Sequence, residues 1–547
     1  MSERTDIPPM HDADPTASMA SLRATAQAAM RAGQWPVAQT ALAALAPLAP
    51  RDVPIRLQLA EAILRQGRMR AASAPLLEAV AVAPNDAPLL AELAWRLVAQ
   101  GEVIAARACL AHLARAPEPP AEVLAEQANL HWLLGEIPAA RALMDRAVAL
   151  GIHDARGHYL DAMLHQFVGQ LAEAEAALLT CLHRWPGHGD AAVILANLRR
   201  QTPQANHLAL FRAALERLPS PPATRPDALA RAKFESAIFK TLDDCGQHEQ
   251  AWAALARSNA LMHQLAPYDV AAEQALVDAL LAQADRLAAR PDAAPVPADG
   301  PVPIFIVGMP RSGSTLLDHM LSAHSQVVSA GELADFPRQF HWMADVAPGG
   351  AAAMRKAVDA AGEMDFAALG ARYLAQTQWR AHGRRFYVDK LPANLRMVPF
   401  IRRALPHAPI LLPRRAPMDV CYSNLKVMFG TASPYCYEQR ALAHYHRQQA
   451  RLATHWHTRM PGAVLEVPYA DLVTEPAAAL RRVLGHCDLP FEQACLHPER
   501  NTAAVATPSS AQLREPIHAR ALGQWRRYAS QLEPLRRALE ADDTGPD

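Results

Sequence analysis

The chain lacks an excess of charge of either sign: its 547 residues carry 54 Lys+Arg and 54 Asp+Glu, a formal net charge of zero. Proteins that coat nucleic acid draw their affinity from clustered excess positive charge, so that class is excluded and no nucleic-acid partner is expected. Lysine is scarce. Only Lys233, Lys240, Lys356, Lys390 and Lys426 occur, and the remaining basic residues are arginines. The seven cysteines (Cys109, Cys181, Cys245, Cys421, Cys436, Cys487, Cys495) are odd in number, scattered and without a CxxC pair. That pattern argues against a disulfide framework or a structural zinc site and for a reducing compartment. No apolar run approaches the ~18 residues of a spanning helix. Met1 to Asp14 is polar and acidic, where a signal peptide needs a basic stretch followed by an apolar one. No Asp, Glu and His constellation has the spacing of a metal site. The expectation is a cytoplasmic protein with no metal and no membrane span. Its hydrophobic content of 51% is ample for folded domains, roughly two to four at this length.

What the chain does have is a period. Gly33, Gly67, Gly101, Gly135 and Gly169 follow one another at intervals of 34 residues. Alanines recur five residues after each (Ala38, Ala72, Ala106, Ala140, Ala174) and seven before each (Ala26, Ala60, Ala94, Ala128, Ala162). Prolines close several units, at Pro50, Pro84, Pro117 and Pro186. A helix, a glycine turn, a second helix and a proline stop explain the pattern, with alanine where paired helices cross closely. In period and in small-residue positions the array resembles the tetratricopeptide repeat. The register is lost after residue 190 and returns at Cys245 to Met262 with Gly246 and Ala251, after an insertion around the proline-rich Leu218 to Pro226. The expected organisation is a disordered N-terminus over 1–18, about five repeats over 19–200, and a helical extension with a degenerate last repeat over 201–288. A concave repeat surface is a candidate site for a protein or peptide, and such arrays also serve as scaffolds or homodimer interfaces.

Residues 289–303 hold five prolines and read as a semi-rigid linker before a different kind of domain over 304–540. Ile304 to Gly308 is a short buried-strand run, and Leu316 to His324 has apolar residues at helical spacing. Between them stands GMPRSGST, Gly308 to Thr315, which fits the phosphate-loop pattern G-x4-G-K-[ST] with Ser314 in place of the lysine. The glycines let backbone N–H groups and a helix N-terminus point at a phosphate. Ser312, Ser314 and Thr315 add hydroxyls, and Arg311 offers a planar donor fork. Without the lysine that grips a nucleoside triphosphate, a kinase-like P-loop enzyme becomes the weaker reading.

PRSGST resembles the 5′-phosphosulfate loop of the sulfotransferase superfamily, and the likeness runs over roughly Ile304 to Tyr528. It is similar to bacterial tetratricopeptide-repeat sulfotransferases and to the catalytic domain of tyrosylprotein sulfotransferases. The resemblance implies an N-terminal all-α superhelix of repeats followed by an α/β P-loop-like domain with a central parallel sheet. It implies 3′-phosphoadenosine 5′-phosphosulfate as donor, held by Pro310, Arg311, Ser312, Gly313, Ser314 and Thr315. Arg415 and Ser423 fit the family's R-x-P-x-D-x-x-x-S segment, with Ala416 where the family has Asp or His, and would bind the 3′-phosphate. Glu332, in VVSAGELADF, corresponds to the catalytic base, with His319, His324 and His341 as alternatives. Lys390, at the end of FYVDK, would contact the bridging oxygen. Tyr469, in LEVPYADLV, would pack on the donor or anchor its turn. In the C-terminal segment Thr507 to Tyr528, Ser509 or Ser510 would touch the transferred group. Gln524 stands where a basic residue is usual, leaving Arg520 or Arg526 to contact the donor. Sulfuryl transfer needs an acceptor proton removed, three equatorial oxygens held and a leaving phosphate stabilised, mostly by positioning and electrostatics. A hydroxyl acceptor is expected, protein tyrosine among the candidates. A repeat scaffold joined to a degenerate domain is the non-enzymatic alternative.

Overall fold

The computed structural model describes residues 15–82, 86–115, 119–289, 300–501 and 515–540. The expected disordered N-terminus lies almost wholly outside them, and the first helix begins at Pro15. Five helix pairs carry the 34-residue period: Pro15–Arg31 with Trp35–Leu45, Val53–Leu64 with Met69–Ala81, Ala87–Ala99 with Val103–Leu113, Ala121–Leu133 with Ile137–Ala149, and Ala155–Val168 with Leu171–Arg184. Each inter-helix turn is made at its glycine, with φ between +67° and +85°, a left-handed conformation in which a Cβ would crowd its own backbone. Both alanine columns are buried, the one after the glycines fully so at all five positions. These are the places where two helix backbones approach within the width of a methyl group.

The period then slips for a structural reason. Short helices Gly189–Asn197 and Leu208–Arg217 precede a long one, Arg225–Asp244, whose start is set by a capping box between Thr224 and Asp227. That helix pairs with His248–Leu265 through a glycine turn at Gly246 (φ +79°), and Val270–Ala288 completes the helical region.

The chain forms two compact units, Met1–Pro117 with His341–Gly349, and Glu118–Phe340 with Gly350–Asp547. The first contains three repeats and a nine-residue excursion from the α/β half. There the Ala347 N–H donates to the Gly67 carbonyl at 2.8 Å, the Ala71 N–H to Asp345 Oδ1 at 3.2 Å, and Trp342 Nε1 to Ser73 Oγ at 3.2 Å. The second unit contains the later helices and the sheet, joined by a shared core that includes Phe211, Phe239, Tyr422 and Tyr528. Buried hydrogen bonds fix that junction: Tyr528 donates to Asp243 at 2.8 Å, and Asn259 to the Leu425 carbonyl at 3.1 Å.

The sheet has five strands, β1 (Val302–Ile306), β2 (Val327–Ser329), β3 (Phe386–Lys390), β4 (Ile410–Arg414) and β5 (Val464–Pro468), in the order β2-β3-β1-β4-β5. All pairings are parallel. Helices cover such a sheet, and its central strands β1 and β3 are almost wholly buried, which is why they read as apolar runs. Strand β1 starts at Val302, inside the stretch read as linker, because the Val302 N–H pairs with the Arg385 carbonyl at 2.9 Å. Of the linker itself, residues 290–299 lie outside the described residues.

Candidate active site

Parallel strands place all their carboxyl ends on one edge of the sheet, where open α/β folds bind ligands. Here each of the five ends leads directly to a residue with a candidate role in the chemistry. Beyond β1 comes the phosphate loop, beyond β2 Glu332, at the end of β3 Lys390, after β4 Arg415 and after β5 Tyr469.

The loop from Gly308 leads into the helix Ser314–Leu321, with Gly313 before it at φ +107°. Arg311 takes a positive φ of +67°, unusual for a residue with a Cβ and of the kind held in place at binding loops. Hydrogen bonds secure the loop from both flanks: the Gly308 N–H donates to the Pro392 carbonyl at 3.0 Å, and the Asn424 side-chain Nδ2 donates to the Pro310 carbonyl at 2.8 Å. A Cβ on Gly313 would stand 2.6 Å from Tyr469 Cδ2, so only glycine lets that ring lie against the helix start.

Two arginines converge behind the loop. Arg311 Nε donates to Ser423 Oγ at 3.3 Å, and Arg415 donates to the Arg311 carbonyl at 3.4 Å and to the Ala521 carbonyl. The Arg415 guanidinium lies 4.9 Å from the centre of the Tyr469 ring, and Asp419 is 4.0 Å away. Burial, then the neighbouring positive charge of Arg415, lowers the proton affinity of Arg311; burial does the same to Arg415. Adjacent buried cations are stable where negative charge comes to them. Ser312 Oγ and Arg415 Nε are buried without a hydrogen-bond partner. These residues fit a ligand bearing phosphate or sulfate oxygens.

Across the edge, Lys390 is 1% exposed and its ammonium pairs with the Glu332 carboxylate, which is about half-exposed. A surface lysine is thereby excluded: the cation is inside and the carboxylate faces outward. The turn bearing Glu332 is pinned to β3 by the Ala330 N–H to the Val388 carbonyl and the Lys390 N–H to the Gly331 carbonyl, both 2.9 Å.

Several candidates stand elsewhere. His324 is structural, bonded to the Pro490 carbonyl at 3.0 Å and accepting the Gln326 N–H. His341 belongs to the other compact unit and bonds the Val346 carbonyl. His319 is buried on the loop helix. Arg526 is exposed over the Trp525 ring, and Arg520 pairs with Glu515. What the C-terminal segment brings to Arg415 and Asp419 is backbone, the Ala521 carbonyl and the Gly523 N–H at 2.8 Å from Asp419 Oδ1. Ser509 and Ser510 lie outside the described residues.

Sequence reasoning missed two charges, the buried Asp318 and the half-buried Lys426. Asp318, one turn into the loop helix, accepts from Ser329 Oγ at 2.9 Å, and burial pushes its carboxyl up to about 6. Lys426 donates to Gln524 Oε1 at 3.0 Å, and burial lowers its ammonium to about 8. The scarcity of lysine was a signal for Lys426; nothing local marked Asp318. Among the described residues no cluster of three or more His, Cys, Asp or Glu side chains forms a metal site, and no helix is long and apolar enough to cross a membrane.

Residues 303–493 match the model of the Sulfotransferase family. An uncharacterized protein of Aquifex aeolicus (strain VF5) is 28% identical over 338 residues, 60% of this chain and 43% of the relative. The chain thus spans less than half the length of that relative. Protein-tyrosine sulfotransferase 1 of Danio rerio is 26% identical over 234 residues, 41% of this chain and 65% of the relative. Among solved structures, the sulfotransferase domain from the Synechococcus PCC 7002 olefin synthase aligns at 21% identity with a TM-score of 0.32, over 45% of this chain and 97% of that one. The segment that matches this family model follows the helical repeats.

Proposed function

We propose that the α/β domain transfers a sulfuryl group from 3′-phosphoadenosine 5′-phosphosulfate to a hydroxyl acceptor, protein tyrosine being the first to test. The observation that carries the reading is the arrangement along the strand ends. Two half-buried arginines, Arg311 on the phosphate loop and Arg415 after β4, stand on one side, and a buried lysine bound to a half-exposed glutamate on the other. When bound, the donor supplies the sulfuryl group and leaves as the 3′,5′-bisphosphate.

In this reading the chain's own residues divide the work. Backbone N–H groups from Arg311 to Thr315, with the hydroxyls of Ser312, Ser314 and Thr315, cradle the 5′-phosphosulfate, and Pro310 shapes the start of the loop. Arg415 and Ser423 take the 3′-phosphate, with Tyr469 packed beside them. Arg311 neutralises charge on the transferred group. Glu332, facing outward, removes the acceptor proton as the acceptor oxygen bonds to sulfur. Lys390, held inside, orients that carboxylate and meets the oxygen on which charge develops as the donor departs. Ser509 and Arg526 retain the supporting roles that the family resemblance gives them. The reaction is proposed to need no metal, since the sulfuryl group carries less charge than a phosphoryl group.

A peptide acceptor is supported by the repeats. In the second unit the turn of the fourth repeat reaches the base turn: a Cβ on Gly135 would stand 3.6 Å from the Ala330 carbonyl oxygen, two residues before Glu332. The matched relative from Danio rerio bears the name of a protein-tyrosine sulfotransferase. The test is incubation of the purified chain with 35S-labelled donor and either tyrosine-containing peptides or a lysate. Label entering protein or peptide supports the reading. Label entering only small molecules overturns the protein acceptor, and no transfer to any acceptor overturns the activity.

A further inference from the structure

Asp318 is a buried carboxylate for which stability offers no reason. It sits on the helix Ser314–Leu321, 5% exposed, in an environment where an apolar residue would be cheaper to bury. Oδ2 accepts from Ser329 Oγ at 2.9 Å, while Oδ1 has no hydrogen-bond partner. Ser329, the last residue of β2, in turn accepts the Gly331 N–H at 3.2 Å. The Gly331 carbonyl accepts the Lys390 N–H at 2.9 Å, and Gly331 itself is left-handed at φ +79°. A continuous chain of bonds therefore runs from the phosphate-loop helix through Asp318 and Ser329 to the turn that presents Glu332, and on to the strand end that carries Lys390.

We infer that Asp318 and Ser329 form a positioning pair, which fixes the Gly331 turn so that Glu332 and the phosphate-loop helix are held in one frame. The inference rests on the sulfuryl-transfer reading and names how its base is aimed. Neither side chain is assigned a contact with donor or acceptor. Asp318 acts through Ser329, and Ser329 acts through the Gly331 N–H. A carboxylate suits this end of the chain because a charged acceptor makes the shorter and stronger bond to a hydroxyl, which then orients its lone pair toward Gly331. In-line transfer is sensitive to displacements of the base on the scale of 1 Å, so slack in this turn is felt in the rate.

The test is a double-mutant cycle on the full chain with Asp318→Ala, Ser329→Ala and the pair, with Asp318→Asn as the isosteric variant. Three measurements are made: kcat with saturating donor, the affinity for 3′-phosphoadenosine 5′-phosphate, and hydrogen exchange of the ligand-free protein over residues 327–333. Each alanine variant should lower kcat by about tenfold, the equivalent of one buried hydrogen bond. The double variant should be no slower than the worse single, because the two act in series. Bisphosphate affinity should be unchanged, exchange at Gly331 should be faster in both alanine variants, and Asp318→Asn should restore part of the protection. Losses in kcat that multiply, affinity that falls in step with kcat, or unaltered exchange at Gly331 would each overturn the pair. If the wild-type chain transfers no sulfuryl group, the parent reading fails while the exchange arm still judges the Asp318–Ser329–Gly331 relay.

Discussion

Asp318→Asn keeps the shape of a buried side chain and removes its charge. In the folded protein burial raises the Asp318 carboxyl from its ordinary 3.8 to about 6, against the opposing pull of Lys390 and the Ser329 hydrogen bond and with a smaller push from Glu332. Shifting a carboxyl by that much disfavours its charged form by about 3 kcal/mol. Because the folded state holds the proton more tightly than the unfolded chain, the folded state binds more protons between these two values, and stability falls as pH rises from about 4 to about 6. Above 6 the whole penalty is present; below 3.8 it is absent. The asparagine variant should therefore be more stable than wild type at pH 7.5, by up to about 3 kcal/mol. That advantage should shrink toward zero as the pH is lowered through 6 toward 4. Thermal unfolding of both proteins across this range checks it, with the difference between the two curves as the readout. An asparagine variant that is less stable at pH 7.5, or a difference that does not change with pH, would refute the reasoning. Together with a lower kcat, the expected gain would mark Asp318 as a residue kept at a cost in stability, as functional sites often are.

Other outcomes follow from the same geometry. Glu332→Gln should leave affinity for 3′-phosphoadenosine 5′-phosphate intact and lower kcat by roughly 10²–10⁴, as removal of a general base does, measured by labelled transfer. Gly313→Ala should abolish donor binding in calorimetry, because its Cβ meets the Tyr469 ring at 2.6 Å in a left-handed backbone. Lys426→Met should stabilise the protein at pH 7 by up to about 3 kcal/mol, since burial lowers that ammonium from 10.5 to about 8. Here the unfolded chain binds more protons between 8 and 10.5, so wild type gains stability over that interval and the advantage of methionine fades.

Much of this protein is legible in its residues because the relevant constraints are local. A left-handed turn admits glycine with little strain, and five such turns at a fixed spacing announce a helix-pair array before any contact is known. Buried parallel strands are short apolar runs, and the residues just past the end of each run must lie at the carboxyl edge. The family resemblance singled out Arg311, Glu332, Lys390, Arg415 and Tyr469, and each stands at or just past the carboxyl end of a strand. Asp318 could not be singled out, because an acid in an amphipathic helix looks like solvated surface until the fold buries it. The excursion His341–Gly349 joins residues about 270 positions apart through Ser73 and Trp342, and no periodicity encodes such a pairing. Arg526 was placed by the family's C-terminal pattern; the backbone of Ala521 and Gly523 is what meets Arg415 and Asp419.

The most direct test of the central claim is calorimetric titration of the chain with 3′-phosphoadenosine 5′-phosphate in EDTA, beside titration with Mg-ATP. Recognition by Arg311, Arg415 and Ser423 predicts tight metal-free binding of the bisphosphate, weak binding of Mg-ATP, and a loss of about 100-fold in bisphosphate affinity for Arg415→Ala, as for charge-assisted bonds to a phosphate. Preference for Mg-ATP, or no nucleotide binding at all, would contradict it.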